Sequence, residues 1–229
     1  MDIFSDIFVD TVFLSKTKLF SGLSPKEIED VLHCLDATLR KYHKGDIIYS
    51  AGERISKIGL LLNGGASVEN NDIWGNRNIL DSLTSGKIFG ENYAFLPEEP
   101  LMVNVVANRS CEVMFLNVQR LVSENSCGCG AEQKLLKNLV QISASKSLNL
   151  SRRIFHTSAK TIRGRLLSYL SYQALLWGST SFDIPFNRQE LADYLSVDRS
   201  AMSFELSKMQ KEGILKTTKN HFSLHSDED

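Results

Sequence analysis

The stretch Asn187–Met209, NRQELADYLSVDRSAMSFELSKM, decides the fold of the C-terminal third of the chain. Leu191, Ala192 and Leu195 recur at helical spacing after Asn187, and Glu190 stands three residues beyond it. That is a capping box with Asn in the usual Ser/Thr place. Ser196-Val197 interrupts the run as a short turn. Asp198 then caps a second helix whose Met202, Leu206 and Met209 fall on one side. Two short helices joined by so few residues, with the small Ala192 where they would cross, form a helix-turn-helix. Downstream, Gly213–Lys216 and Phe222–Leu224 flank the polar Thr217–His221, two short strands making a wing. On geometry alone, a structural αα-hairpin is the alternative.

The second helix would expose Arg199, Ser200, Ser203, Phe204, Ser207 and Lys208. An arginine near a helix N-terminus suits guanine, because its fork matches the two acceptors on that base edge in the major groove. Ser200 and Ser203 suit base edges or phosphates. Phe204 either touches a thymine methyl or packs into the domain. Arg188 and Gln189, opening the first helix, would lie against the phosphate backbone and fix register without reading sequence. With Lys219 in the wing turn, these residues are the candidate contacts to double-stranded DNA.

The remaining composition is that of an ordinary globular protein. With 229 residues, the chain has room for one large or two modest domains. The net charge of −1 lacks the basic balance typical of nucleic-acid binders. The average conceals an uneven distribution: the Asp227-Glu228-Asp229 tail offsets Lys160, Arg163, Arg165, Arg188, Arg199, Lys208, Lys211, Lys216 and Lys219. No apolar run approaches the ~20 residues of a membrane helix. The first residues lack a basic segment followed by an apolar one. Four cysteines, Cys34, Cys111, Cys127 and Cys129, are too scattered for a disulfide framework. A cytoplasmic protein with no membrane partner is expected.

Upstream, Ser24 and Pro25 open a helix carrying Ile28, Val31, Leu32 and Leu35 on one face. Between Leu39 and Phe115 the character changes. Runs at Asp46–Tyr49, Ile58–Leu62, Ala66–Val68, Arg77–Leu83, Val103–Ala107 and Glu112–Leu116 alternate with turn clusters such as Asn63-Gly64-Gly65 and Ser85-Gly86-Lys87. Short strands without intervening helices predict an antiparallel sandwich or barrel. After Ser123–Gly130, a helix to about Phe155 carries a narrow stripe of Leu135, Leu139 and Ile142, continued by Lys146, Asn149 and Arg153. Such a seam fits pairing with a twin helix in a dimer; packing on its own sheet is the alternative. A further helix is expected from near Ser158, then an edge strand over Phe182–Phe186.

At this point the chain resembles the Crp/Fnr superfamily, the cyclic-AMP receptor protein and fumarate–nitrate regulator type, over nearly its whole length. The residues carrying the likeness are Leu19-Phe20, Leu23-Ser24, Lys44–Ile48, Ala51-Gly52-Glu53, Gly86, Phe89-Gly90-Glu91, Arg188–Ala192, Arg199 and Met202. The resemblance implies an α+β fold with an N-terminal antiparallel β-roll effector domain over 1–125. A dimerisation helix over 126–156 and a winged helix-turn-helix over 157–229 would follow. It further implies a bacterial transcription regulator, not an enzyme, with no cofactor and no catalytic residues. Its partners would be promoter DNA, a second copy of the chain, RNA polymerase and a small-molecule effector. Gly90, Glu91, Asn92 and Lys146 are the candidate effector contacts.

The departures from the family matter equally. Cyclic-nucleotide binders follow the Gly-Glu pair with a loop whose arginine grips the cyclic phosphate. Here that loop reads Leu101-Met102-Val103-Asn104, with Arg109 a few residues on, so cyclic AMP is not the expected effector. The iron–sulphur branch needs clustered N-terminal cysteines, and this half offers Cys34 alone before Cys111. Cys127-Gly128-Cys129 at the head of the long helix suggests a thiol pair or half a zinc site; incidental thiols are the alternative, and no metal site is expected. The alternative function is a constitutive or thiol-controlled regulator with a vestigial pocket. A cupin-like enzyme would need converging histidines, and the strand region offers His43 alone.

Overall fold

A computed structural model of the chain describes residues 10–71, 77–123 and 130–225. It divides into two compact units, Met1–Ala144 and Ser145–Asp229. The first unit opens with helices α1 (Thr11–Ser15) and α2 (Pro25–Cys34). Helix α2 starts where its sequence dictates. Ser24 accepts a hydrogen bond from the Glu27 amide, Glu27 accepts one from the Ser24 amide at 2.7 Å, and Pro25 opens the first turn. Strands β1 (Thr38–Tyr42), β2 (Ile47–Tyr49), β3 (Ile58–Asn71), β4 (Arg77–Thr84) and β5 (Ile88–Phe89) follow, then the short helix α3 (Glu91–Phe95) and strand β6 (Asn104–Leu116).

All strand pairings in this unit are antiparallel. Two long strands hold the roll together, because β3 and β6 run through both halves of one six-stranded sheet. One half of their pairing, Ile58–Leu61 against Val113–Leu116, is flanked by β5 and β1. The other half, Ala66–Glu69 against Asn104–Ala107, is flanked by β4 and β2. The expected turn at Asn63-Gly64-Gly65 is therefore a bend inside one continuous strand. The register shifts at this point, as β-bulges do. Gly64 has φ +82°, and a Cβ there would stand 2.2 Å from the Ser110 carbonyl oxygen. Glycine serves here as a bulge residue against a close neighbouring backbone, not as a turn residue. For the same reason Val103–Ala107 and Glu112–Leu116 are the two halves of β6.

Side-chain alternation gives the first half of this sheet two buried faces. Leu61, Phe89, Val113 and Phe115 point into the roll, with Tyr49, Leu101 and Val105. Ile58, Leu60, Met114 and Leu116 point outward, under Leu14, Phe20, Ile28 and Val31 of the helical cover. Helix α4 (Ala131–Thr157) adds Ala131, Leu135 and Leu139 to that outer core, with Ile142 packed against it. So the stripe expected to meet a twin helix is buried within its own unit. Its apolar residues are the ones that complete the helical cover, which is the alternative stated above. Asn138, on the same side, donates to the carbonyls of Leu19 and Ser21, each at 2.9 Å.

The second unit contains the end of α4, then α5 (Ile162–Trp177), β7 (Ser181–Asp183), α6 (Arg188–Leu195), α7 (Arg199–Lys211), β8 (Leu215–Thr218) and β9 (His221–Leu224). Helix α4 runs to Thr157, and α5 begins at Ile162 instead of near Ser158. The Thr157 and Ser158 hydroxyls donate back to the carbonyls of Arg153 and Phe155 at 2.8 and 2.7 Å, and Thr161 caps the new helix through the Gly164 amide. Strand β9 lies between β7 and β8. Leu166, Leu170, Leu191, Leu195, Met202, Leu206, Met209 and Phe222 close one core beneath them.

Candidate nucleic-acid interface

Both helices of the helix-turn-helix start on caps that the sequence supplies. Asn187 accepts from the amides of Gln189 and Glu190, and Glu190 returns a bond to the Asn187 amide at 2.8 Å. Ser196 takes the left-handed conformation (φ +53°) that turns the chain. Asp198 accepts from the Ala201 amide at 2.8 Å and from the Ser200 hydroxyl at 2.7 Å. These bonds hold its carboxyl below the usual carboxylate range, led by the one from Ala201. Met202, Leu206 and Met209 are buried, so the opposite side of α7 faces outward. Arg199, Ser200, Phe204, Ser207, Lys208 and Lys211 are exposed there, and Ser203 is half-buried.

Glu205 of α7 and Glu212 at its C-cap are turned away from this face. Arg163 of α5 donates to Glu205 at 2.5 Å and to Glu212 at 2.7 Å. Those bonds raise the Arg163 pKa and lower that of Glu212. Arg199, Lys208 and Lys211 thus stand on a surface whose neighbouring carboxylates are engaged behind it. Lys219, in the left-handed conformation (φ +53°), is exposed in the turn between β8 and β9.

Arg188 is placed differently from its neighbour Gln189. Its Nη2 donates to Thr217 Oγ1 at 2.6 Å, and its guanidinium carbon lies 4.9 Å from the Phe222 ring centroid. This joins the first turn of α6 to the wing, and burial lowers the arginine's pKa. Gln189 is exposed and donates to Asp193 at 2.8 Å.

Two further arginines hold the helix-turn-helix from behind. Arg153 donates to the carbonyls of Tyr194 and Asp193, at 3.1 and 3.0 Å. Arg165 donates to those of Leu195 and Ser196, at 3.0 and 2.9 Å. The last carbonyls of a helix have no partner within it and carry partial negative charge, so cations belong there. Counting basic residues along the sequence could not separate these two from surface charge, because nothing local marks an arginine whose partner lies some 30–40 residues away. His156, 1 % exposed, closes the end of α4 among Tyr169, Tyr172 and Tyr194. Its Nδ1 meets the Ser168 hydroxyl at 3.1 Å.

In the first unit, Gly90 (φ +79°), Glu91 and Asn92 come together at the start of α3. Glu91 is buried and Asn92 exposed, whereas Lys146 lies exposed on the part of α4 assigned to the second unit. The roll interior is filled by rings: Tyr49 lies edge-on to Phe89 and Phe115, with its hydroxyl bonded to the Lys57 carbonyl at 2.7 Å. Leu101 is buried in this core, and Asn104 Oδ1 accepts from the Ala51 amide at 2.8 Å. Cys111 is a buried free thiol. Cys34 is buried in the helical cover. Cys127 and Cys129 lie outside the described residues. Among the described residues no His, Cys, Asp and Glu group suits a metal ion, and no helix is long and apolar enough to cross a membrane.

Comparison with known proteins bears on this geometry. A cyclic nucleotide-binding domain model matches residues 39–123, and a Crp-like helix-turn-helix domain model matches residues 164–227. Together they span more than half of the chain. No curated protein matches it at a significant level. Among solved structures, the c-di-GMP responsive global regulator CLP from Xanthomonas campestris is similar, with 18 % identity, a TM-score of 0.54, and coverage of 89 % of this chain and 100 % of that one. CprK complexed with OCPA is similar at 15 % identity and a TM-score of 0.59, over 86 % of this chain and 88 % of that one. At such identities the structures speak for the shared α+β fold. With a cyclic nucleotide-binding-like roll, a long helix and a Crp-like helix-turn-helix in that order, the chain belongs to the Crp/Fnr superfamily of DNA-binding transcription regulators.

Proposed function

We propose that the chain acts as a homodimer that reads promoter DNA with Arg199 and answers to a small-molecule effector other than cyclic AMP, without catalysis of its own. The observation that carries the DNA-reading role is the outward face of α7. It offers Arg199 at the helix N-terminus, with Glu205 and Glu212 drawn back onto Arg163. A guanidinium so placed can donate to both acceptors of a guanine edge. Arg199→Ala should weaken binding to a selected duplex by about 1–3 kcal/mol and relax discrimination at one base pair. Fluorescence anisotropy with single-base variants reads both effects. Equal weakening on every sequence would reduce Arg199 to a phosphate contact.

Support for the dimer comes from the side of α4 opposite its buried stripe. Val140, Leu148, Ile154 and Phe155 are 56–67 % exposed there. At 100° per residue they fall within about 120° around the axis, the width of a helix-pairing face. Two such helices would set the recognition helices about one DNA turn apart and favour a near-palindromic site. Leu148→Glu should then yield monomers by light scattering.

Support for an effector without a cyclic phosphate comes from Leu101 and Asn104, which fill the expected phosphate position with an apolar side chain and an engaged amide. Gly90, Glu91, Asn92 and Lys146 remain the proposed contacts, and RNA polymerase the proposed partner at the promoter. Lys146→Ala should weaken the effector response without disturbing the fold. A thermal-shift screen of metabolites should find a stabilising ligand that also changes DNA affinity, while cyclic AMP has no effect. A constitutive or thiol-controlled regulator with a vestigial pocket stands second, favoured by the same filling of the phosphate position by Leu101 and Asn104. DNA affinity that follows dithiothreitol alone, with no metabolite effect, would favour it.

A further inference from the structure

The outward face of α7 carries only short side chains along its centre. Its centre is lined by Ser200, Ser203 and Ser207. Two of those hydroxyls already donate within the helix: Ser200 to Asp198 at 2.7 Å and Ser207 to the Ser203 carbonyl at 3.0 Å. Rising from this shallow serine strip are Arg199 on one flank, and Phe204 and Lys208 on the other. Phe204 is 73 % exposed, although a phenylalanine gains by burial. Its neighbours on the face are serines and Lys208, so it is an isolated ring in a polar, cationic setting. An apolar protein-docking patch would be contiguous. A polyanion offering one apolar spot fits the setting better. In the major groove the 5-methyl of thymine is that spot, the one apolar group that the four standard base pairs display there.

Resting on the DNA-binding reading above, we propose that Phe204 is a specificity-determining residue that packs on a thymine methyl. Five residues separate it from Arg199, a rise of about 7.5 Å along the helix. With base pairs about 3.4 Å apart, the thymine lies about two base pairs from the guanine taken by Arg199. The half-site is thus read by one bidentate hydrogen-bonded contact and one methyl contact. The serines leave room for the backbone of α7 to approach the bases between them.

The test uses the full chain and duplexes selected from a random library. Each thymine of the enriched half-site is replaced in turn by deoxyuridine, which removes only the methyl group. One replacement should weaken binding about three- to fivefold, the worth of one buried methyl. In Phe204→Ala that difference between thymine and uracil should vanish, with helix content and melting temperature unchanged. Phe204→Leu should keep part of it. Placing 5-methylcytosine opposite guanine at the same step should restore part of the affinity that unmethylated cytosine loses. Methyl discrimination that persists in Phe204→Ala, or no replacement that matters while guanine discrimination by Arg199 is intact, overturns this inference and leaves the DNA-binding reading standing. Failure to enrich any sequence, with no effect of Arg199→Ala, overturns both.

Discussion

Arg188→Ala distinguishes a residue that builds the DNA-binding unit from one that touches DNA. Arg188 donates to Thr217 Oγ1 at 2.6 Å and covers Phe222 at 4.9 Å. Thr217 in turn donates across the hairpin to the His221 carbonyl at 2.8 Å, and its amide reaches Gln210 at 3.0 Å. One guanidinium therefore secures both wing strands to α6. A hydrogen bond from a charged group contributes about 1.5–3 kcal/mol. A half-buried cation–π contact adds about 0.5–1 kcal/mol. Solvent replaces part of both once the side chain is gone, so a net loss of about 1–3 kcal/mol is expected. Hydrogen exchange of the β9 amides, led by Phe222, reports this locally whatever the other unit does. Their exchange should accelerate about 5- to 150-fold. The salt dependence of DNA binding should keep its slope, because no phosphate contact is removed. Unchanged wing exchange, with a slope reduced by about one, would refute the reasoning and make Arg188 a backbone contact.

Other perturbations probe the rest of the molecule. Leu206→Ala removes a buried side chain beneath the recognition helix and should destabilise the second unit by about 2–5 kcal/mol in urea unfolding. A loss under 1 kcal/mol would mean that α7 is not seated on that core. Asn138→Ala leaves the carbonyls of Leu19 and Ser21 without their donor and should destabilise the first unit by about 1–3 kcal/mol, measured the same way. Burial, with Arg152 nearby, lowers the pKa of His156. At neutral pH folded and unfolded states are both uncharged there. Below the ordinary histidine pKa, near 6.5, the unfolded chain takes up a proton that the folded one refuses. Stability should therefore fall on acidification, and His156→Phe should flatten that part of the pH profile. Glu27, bonded to Lys134 at 2.7 Å and held down to about 2, works in the same direction. Its contribution is present above the ordinary glutamate pKa and lost as pH falls toward 2, and Glu27→Gln should remove it.

What could be read in the sequence follows how local the physics is. The caps at Ser24, Asn187 and Asp198 act over three residues, and each lies where the helix starts. The buried side of α7 follows from spacing alone. The roll was legible as a class of fold, but its two continuous strands were not, because Asn63-Gly64-Gly65 serves a bulge as well as a turn. What decides between them is Ser110, on a strand 40-odd residues further along. For the stripe of α4, spacing shows that Leu135, Leu139 and Ile142 share a side but not what covers it. At the DNA face, Arg199 and Phe204 were legible as exposed positions. The structural duties of Arg153, Arg163, Arg165 and Arg188 depend on partners 29–49 residues distant, to which a local pattern is blind.

The most direct test of the central claim is selection of duplexes from a random library by the purified full chain at near-physiological salt. The account predicts enrichment of one inverted repeat, its half-sites about one helical turn apart, each with a guanine whose replacement is tolerated by Arg199→Ala but not by the unaltered chain. Retention of DNA without any enriched sequence, or enrichment of a single unrepeated site indifferent to Arg199, would contradict it.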